Sequence, residues 1–168
     1  MTEERAHDIE FERFYEDQRE AVRAYCFRRA DASLADDVVS QTFEIAWRRR
    51  SEVRRPTRGW LLGIARKVLA NRRRSDRRQR DLAARLSEQP VPAGESFDDS
   101  PPILDALSRL SDPDRETLML AAWDGLASSE AGRVLGCSPV AFHSRWASAG
   151  ARRARFTLEI CDGQARFR

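Results

Sequence analysis

The side chains of this chain best suited to chemistry are its arginines, and many of them cluster in one block. Residues 48–80 carry 14 basic and two acidic side chains, a net charge of +12, although the whole chain has a net charge of only +3. The segments on either side, 1–47 and 81–116, each have a net charge of −6. Like charges in a block repel one another unless a partner neutralises them. The partner that this block predicts is nucleic acid, because phosphate contacts release condensed counterions.

Arginine rather than lysine supplies almost all of the positive charge: of the 30 basic residues, only Lys67 is lysine. The planar guanidinium forms paired hydrogen bonds with phosphate or guanine, which favours contact with nucleic acid. Codon usage in a GC-rich genome explains an arginine excess equally well, but it does not explain the clustering.

The residue types that enzymes use show no comparable arrangement. The chain has no glycine-rich phosphate loop, no HExxH motif and no nucleophile elbow. Its two histidines, His7 and His143, lie far apart, and its three cysteines form no CxxC pair. Neither a disulfide framework nor a zinc site is expected from such cysteines. We therefore expect a protein that is not an enzyme and needs neither a metal nor a cofactor.

The N-terminal sequence MTEERAHDIE is acidic and lacks the apolar segment of a signal peptide. No uninterrupted apolar run approaches membrane-spanning length. These features predict a cytoplasmic protein without membrane insertion.

Helical periodicity positions the basic block, and an all-α fold is expected. Apolar stripes predict a first helix over 9–29 and a second over 34–50, with Ser33 as the N-cap of the second. A third helix is predicted from about Trp60 through the arginine run, because nothing interrupts it before Pro90. Its apolar stripe comprises Leu61, Ile64, Ala65, Val68 and Leu69. The face of the second helix expected to be buried comprises Ala35, Val38, Val39, Thr42, Phe43, Ala46 and Trp47.

A linker is predicted over residues 87–102, SEQPVPAGESFDDSPP, which contain four prolines and four acidic residues and can bury little. This flexible acidic linker would separate two small helical domains, 1–86 and 103–168. A short helix is expected over 103–110.

The second domain is predicted to contain a helix-turn-helix. Asp112 is the expected N-cap, and Pro113 the first-turn proline, of a helix that ends near Trp123. A serine at 128 or 129 opens a short helix. The expected inner face of the first of these helices comprises Leu118, Met119, Ala122 and Trp123. The segment 136–139 then provides a glycine turn, a serine cap and a first-turn proline, and a longer basic helix follows. A short helix, a tight turn and a longer basic helix are the pattern of a DNA-binding helix-turn-helix.

The last helix is expected to run from Pro139 to about Leu158 and to enter the major groove. Its N-terminal residues Val140, Ala141, His143 and Ser144 would face DNA, with Arg145 just behind them. Phe142, Trp146 and Ala149 would point into the core.

Three ordered segments carry a resemblance to a known family. DDVVSQTFEIAW (36–47) is similar to D-x-V-Q-E-T-F-x-x-A-W, and GWLLGIARKVLANRRR (59–74) resembles the A-W-L-x-x-I-A-R-N helix with its basic tail. Residues 107–153 resemble a domain containing L-P-x-x-x-R-E, G-L-S-x-x-E-I-A-x-x-L-G-x-S and a T-V-K-S-R helix. Together they cover nearly the whole chain and resemble the extracytoplasmic-function sigma factors of the sigma-70 family.

This resemblance implies three binding surfaces. Docking on the clamp coiled coil of the RNA polymerase β′ subunit would use Asp36, Asp37, Gln41 and Glu44. Binding and melting of the promoter −10 element would use Arg54, Arg55, Arg58, Trp60, Arg66, Lys67, Asn71, Arg72, Arg73 and Arg74. Binding of the −35 element would use Val140, Ala141, His143, Ser144, Arg145, Ser148 and Arg152. Trp60 is either a stacking platform for an unpaired base or a core residue, and the latter is commoner in the family.

The resemblance also implies further partners. The second domain would bind the β flap of core polymerase, and the acidic linker would run through the polymerase toward the RNA exit path. An anti-sigma factor that clamps both domains is expected as a regulator.

The chain departs from the family pattern at several positions. Lys67 replaces the common Asn, and Asn71 replaces the common Asp, so the preferred −10 sequence does not carry over. The segment between Trp47 and Trp60 is short and rich in arginine. In the helix-turn-helix, Ala131-Gly132 replaces the usual Ile-Ala and is expected to loosen the first helix. Residues 140–143 replace G-T-V-K, so the −35 sequence does not carry over either.

Two other functions fit parts of the sequence. A stand-alone helix-turn-helix regulator would bind promoter duplex tightly as a dimer without polymerase. A protein-interaction module that resembles a sigma factor would have no need of the +12 block.

Overall fold

The computed structural model of the chain describes residues 3–53, 55–86 and 110–150. The chain divides into two compact units, Met1–Pro92 and Ala93–Arg168, and each is described by itself. Every regular element in the described ranges is helical, so the predicted all-α class is confirmed. The predicted linker at 87–102 lies outside the described residues, as does the predicted helix over 103–110 except for Leu110.

The described part of the first unit contains three long helices and one short 3-10 helix. Helix α1 spans Glu3–Phe27, α2 spans Ala32–Arg48, and α3 spans Arg58–Leu86. The 3-10 helix Arg50–Glu52 lies between α2 and α3. Helix α3 continues through the arginine run, as its uninterrupted sequence predicted.

The start of α2 differs from the prediction. Asp31, not Ser33, is the N-cap: its side-chain oxygen accepts the backbone N–H of Leu34 at 3.0 Å. Ser33 lies inside the first turn instead. A carboxylate at the cap satisfies a free amide and also interacts favourably with the positive end of the helix dipole, so the helix begins at the aspartate.

Packing of α1, α2 and α3 forms the core of the first unit. Val22 and Tyr25 of α1, Val38 of α2, and Leu61 and Leu62 of α3 are fully buried. All five residues of the predicted α3 stripe are buried, as expected for an apolar face at helical spacing.

Two residues of the predicted buried face of α2 are not buried: Val39 is half-buried, and Trp47 has 39% of its surface exposed. Trp47 is the more exposed of the two. It lies at the edge of that face. Its ring meets the Phe11 ring edge-on, with centroids 5.3 Å apart. The guanidinium of Arg50 stacks on the ring, 3.9 Å from its centroid. The tryptophan therefore supports an arginine rather than filling the core.

The second unit has three described helices. Helix α4 spans Asp112–Ala122, α5 spans Ser128–Leu135, and α6 covers residues 139–150, where the described part ends. Ser111 caps α4 by accepting the Asp114 N–H at 3.3 Å, so the predicted cap at Asp112 is wrong by one residue.

The inner face of α4 also differs from the prediction. Its buried residues are Thr117, Leu118, Met119 and Leu120. Ala122 and Trp123 are exposed, because the helix ends at Ala122 and the chain then turns through Gly125, whose φ is +63°.

Candidate nucleic-acid interface

A groove between α2 and α3 brings together residues from two of the predicted surfaces. It has a volume of about 350 Å³. Ile45 of α2 and Ile64 and Val68 of α3 supply its apolar lining, and the latter two are buried. Its polar lining comprises Gln41, Arg49, Lys67, Asn71 and Arg72. An apolar floor with amides and cations around it suits a base attached to a phosphate backbone.

The groove joins the predicted −10 set to the predicted docking set. Arg72 donates a hydrogen bond to Gln41 Oε1 at 3.3 Å. Lys67, Asn71 and Arg72 are exposed, while Gln41 is half-buried between the two helices. A partner bound on α2 would therefore lie next to DNA held in the groove.

Beyond the groove, the second half of α3 is a solvated basic helix. From Ala70 to Ala83 every side chain except Ser75 is exposed. At a rise of about 1.5 Å per residue, this stretch is roughly 20 Å long. Six arginines lie on it, at 72, 73, 74, 77, 78 and 80. Arg66 and Arg74 of the predicted −10 set are exposed, and Arg73 donates to the backbone carbonyl of Arg29.

The arginine-rich segment between α2 and α3 is held by contacts at both ends. Arg50 donates to Asp8 Oδ1 at 2.9 Å and to the backbone carbonyl of Trp47 at 3.0 Å. Arg58 donates to Gln18 Oε1 at 2.9 Å. Since Asp8 and Gln18 both belong to α1, this helix positions the segment that precedes α3. The sequence contained no signal for these pairs, which are 42 and 40 residues apart.

The remaining members of the predicted −10 set lie around this segment. Arg55 is exposed, and Arg54 lies outside the described residues. Trp60 is half-buried in the first turn of α3, where its backbone N–H donates to Thr57 Oγ1 at 3.3 Å. It is thus neither a fully buried core residue nor a fully exposed platform.

Three of the predicted docking residues, Asp36, Asp37 and Glu44, are exposed on α2, and the fourth, Gln41, borders the groove. Asp36 and Glu44 are exposed and pair with Arg23, at 3.7 Å, and with Arg48. Asp37 is exposed and has no hydrogen bond or ion pair with any described residue. Exposed ion pairs contribute about 0–1 kcal/mol each, so a basic partner could displace them at little cost.

The turn before α6 is set by two glycines and a serine. Gly136 adopts the left-handed conformation, with φ of +71°. Ser138 Oγ accepts the backbone N–H of Ala141 at 3.1 Å, which confirms the predicted cap of α6. A Cβ on Gly132 would lie 2.7 Å from the carbonyl oxygen of Cys137. Glycine at this position therefore allows the turn to approach α5 closely, and the expected loosening of the helix stays a prediction.

Most predicted −35 residues lie on the solvent side of α6. Val140, His143, Ser144, Arg145 and Ser148 are exposed, and Ala141 is half-buried. Arg152 lies outside the described residues.

The core side of α6 was predicted correctly for two of three residues. Phe142 and Ala149 are buried, whereas Trp146 is 42% exposed. Trp146 lies at the edge of the buried face, with its ring 5.7 Å from the His143 ring.

The described residues contain neither a cluster of metal ligands nor a membrane-spanning helix. Within residues 3–53, 55–86 and 110–150, no group of three or more His, Cys, Asp or Glu side chains could hold a metal ion. None of the described helices is long and apolar enough to cross a membrane.

The chain is similar in sequence to a curated bacterial protein. No family model matches it. The ECF RNA polymerase sigma factor SigL of Mycobacterium tuberculosis (strain H37Rv) is 28% identical over 155 residues, which cover 86% of either chain.

Two solved structures share the fold. The sigma factor RpoE of Bartonella quintana, in complex with the anti-sigma factor NepR, has a TM-score of 0.69 and 21% identity, covering 89% of this chain and 97% of that one. CnrH, in complex with the cytosolic domain of CnrY, has a TM-score of 0.59 and 26% identity, covering 93% and 90%. Together with SigL, these similarities confirm the family resemblance predicted from the sequence.

Proposed function

We propose that this chain is an RNA polymerase sigma factor of the extracytoplasmic-function group, and that its first unit captures the melted −10 strand in the groove between α2 and α3. The observation that carries the proposal is the junction of two surfaces in one place. The face of α2 proposed for docking and the face of α3 proposed for DNA border each other where Arg72 donates a hydrogen bond to Gln41. The similarity to SigL over 86% of the chain supports the same function.

Strand capture needs cations for the backbone and a place for an unstacked base. The apolar floor of the groove can receive the base. Asn71 and Lys67, at the edge of the groove, can form hydrogen bonds with that base. The exposed arginines of α3 would contact the backbone phosphates of the captured strand. Unpairing and unstacking a base costs a few kcal/mol, so binding only the separated strand shifts the equilibrium toward the open promoter.

Polymerase docking is proposed for the solvent face of α2. Asp36, Asp37 and Glu44 present carboxylates there, with Gln41 at the border of the groove. A basic surface such as the β′ clamp coiled coil would complement them. Because the two sites share a border, docking would bring the opened strand to the groove. Transcription initiation requires RNA polymerase, so a cytoplasmic location is proposed for the chain.

The second unit is proposed to bind the −35 element through α6, with the β flap of polymerase as its protein partner. The Ser138 cap and the left-handed Gly136 fix the start of α6. The structural neighbours RpoE and CnrH were solved with NepR and CnrY. An anti-sigma factor is accordingly proposed as the regulator of this chain.

Run-off transcription with core polymerase and the promoter upstream of the gene tests the proposal. Asp37→Arg reverses the one docking carboxylate that has no described partner, so it should abolish polymerase binding and transcription while leaving helicity and unfolding temperature unchanged. Asp17→Arg makes the same charge change on an exposed position of α1 and is the control.

Two results would contradict this assignment. Normal transcription with the Asp37→Arg variant would show that the solvent face of α2 is not the docking face. Tight binding of promoter duplex by a dimer of the chain, without polymerase, would favour the stand-alone regulator instead.

A further inference from the structure

The solvent side of α6 carries an apolar side chain where a DNA-reading helix begins. Val140 is 79% exposed, the highest value among the large hydrophobic side chains described. It is not part of the core, because Phe142 and Ala149 form the buried side of the same helix. At 100° per residue, Val140 points about 160° away from Phe142. Packing within the second unit therefore does not explain a valine at this position.

Val140 is held in a defined position. Pro139 and the Ser138 cap fix the first turn of α6, and the Gly132–Cys137 approach fixes the turn before it. A β-branched side chain has one strongly preferred rotamer in a helix, so its two methyl groups also have a defined direction. Contact with a ligand at this position would cost little side-chain entropy.

The chemistry around Val140 is unlike that of most base-reading surfaces. Over residues 139–150 the only charged side chain is Arg145. The other exposed side chains of that face are His143, Ser144, Ala147 and Ser148. No Asn or Gln lies there to read adenine, and no cation lies in the first turn to read guanine. The one apolar group that base pairs present in the major groove is the 5-methyl of thymine.

We propose that Val140 is a specificity-determining residue that reads a thymine of the −35 element by contact with its 5-methyl group. This inference rests on the proposed function, because it requires α6 to enter the major groove of promoter DNA. It adds a base preference and the residue responsible for it.

The test removes one methyl group at a time from the DNA. Each thymine of the −35 element is replaced singly by deoxyuridine, which keeps its hydrogen-bonding groups and lacks only the 5-methyl. Binding of each duplex is measured with holoenzyme assembled from core polymerase and the full chain. One thymine should be sensitive: its replacement should weaken binding about fourfold, the effect of about one buried methyl group.

Variants assign that sensitivity to a residue. In Val140→Gly, the thymine and deoxyuridine duplexes should bind equally, because the contacting methyl groups are gone. Val140→Ile should retain the preference. Trp123→Ser, which changes an exposed hydrophobic residue outside α6, should retain it at full size. The ratio between two duplexes is measured within each variant, so it does not depend on how much of the variant folds.

The outcomes separate this inference from the function on which it rests. If holoenzyme uses the promoter but no thymine is sensitive, or if Val140→Gly keeps the same sensitivity, the inference is wrong and the sigma function stands. If the chain supports no polymerase-dependent transcription, the proposed function itself fails.

Discussion

The two surfaces proposed to meet promoter DNA differ in how they present charge. The exposed half of α3 carries six arginines between residues 72 and 80, whereas α6 carries only Arg145 over its described length. Phosphate contacts supply affinity without sequence information, and contacts to base edges supply specificity. The exposed half of α3 is therefore suited to holding a strand by its backbone, and the described part of α6 is suited to discriminating between duplexes while adding little electrostatic affinity.

The two surfaces are also positioned by different means. Side chains position the segment before α3, since Asp8 and Gln18 of α1 hold Arg50 and Arg58. Backbone geometry positions α6, through the Gly132 approach and the left-handed Gly136. Side-chain pairs at a surface can be altered at modest cost, whereas a backbone contact tolerates almost no added volume. Variants of the second unit should accordingly show the largest losses of stability.

The largest effect is expected for Gly132→Val. The new Cβ would lie 2.7 Å from the Cys137 carbonyl oxygen, a backbone atom that cannot rotate away. Overpacking of this kind costs roughly 1–3 kcal/mol. Hydrogen exchange of amides in α5 and α6 should speed up accordingly, and −35 binding should weaken, while α1–α3 keep their protection and the chain still binds polymerase.

Gly150→Ala is the matched control. A Cβ at Gly150 in α6 meets no atom within 4 Å, so protection there should be unchanged or slightly higher. Unchanged hydrogen exchange in Gly132→Val would show that the turn can move away from α5 without a loss of stability. The second unit would then not depend on a close backbone contact, and this difference between the two units would disappear.

The role of Gly132 shows where sequence reasoning reaches its limit. Helical periodicity predicted the helices and the buried stripe from Leu61 to Leu69, because burial of one face depends on spacing alone. Periodicity cannot decide residues at the edge of a face, and Trp47 and Trp146 were wrongly assigned for that reason. Whether a helical glycine loosens a helix or permits a close approach depends on where the following turn lies, which spacing does not reveal.

Other parts of the site depend on neighbours that sequence order conceals. Caps were misplaced by one or two residues at Asp31 and Ser111, because several adjacent side chains could accept the same amide. The Asp8–Arg50 pair joins residues 42 positions apart. The groove itself was not predicted from the sequence. The resemblance did name Lys67, Asn71 and Arg72 as DNA-binding residues, and that role stays a prediction.

A smaller effect is expected for charge reversal in the groove. Lys67→Glu places a carboxylate beside the proposed path of the DNA backbone, so formation of the open complex should fall about tenfold, an effect of about 1.4 kcal/mol. Permanganate reactivity of −10 thymines measures it. Arg13→Glu, an exposed reversal on α1, should leave opening unchanged. Equal losses in both variants would indicate a general charge effect and argue against capture in the groove.

A further step down is expected for Asp8→Asn, which tests whether α1 positions the basic segment. Asn keeps an acceptor for Arg50 but loses the charge, and both side chains are partly exposed, so the free energy of unfolding should fall by at most about 1 kcal/mol. Open-complex formation should fall a few-fold with polymerase affinity unchanged.

A double-mutant cycle with Arg50→Gln separates positioning from a direct role of Arg50 in DNA binding. If Asp8 acts through Arg50, the effects of the two single variants on opening should not add. Glu10→Gln, an exposed neutralisation on the same helix, is the control. Additive effects would show that Asp8 does not act by holding Arg50.

The smallest effect is expected for Arg145→Ala, which tests how much the single charge of the described part of α6 contributes to DNA binding. Arg145 lies behind the first turn of α6, so it should contact a phosphate rather than a base edge. Holoenzyme binding should then weaken equally for all −35 sequences, and the slope of log affinity against log salt should fall by about one. A loss confined to one base pair, of roughly 1–3 kcal/mol, would instead make Arg145 a base reader. Arg145 would then supply both charge and base specificity. The two surfaces would differ in how many arginines they carry, and not in what their arginines contact.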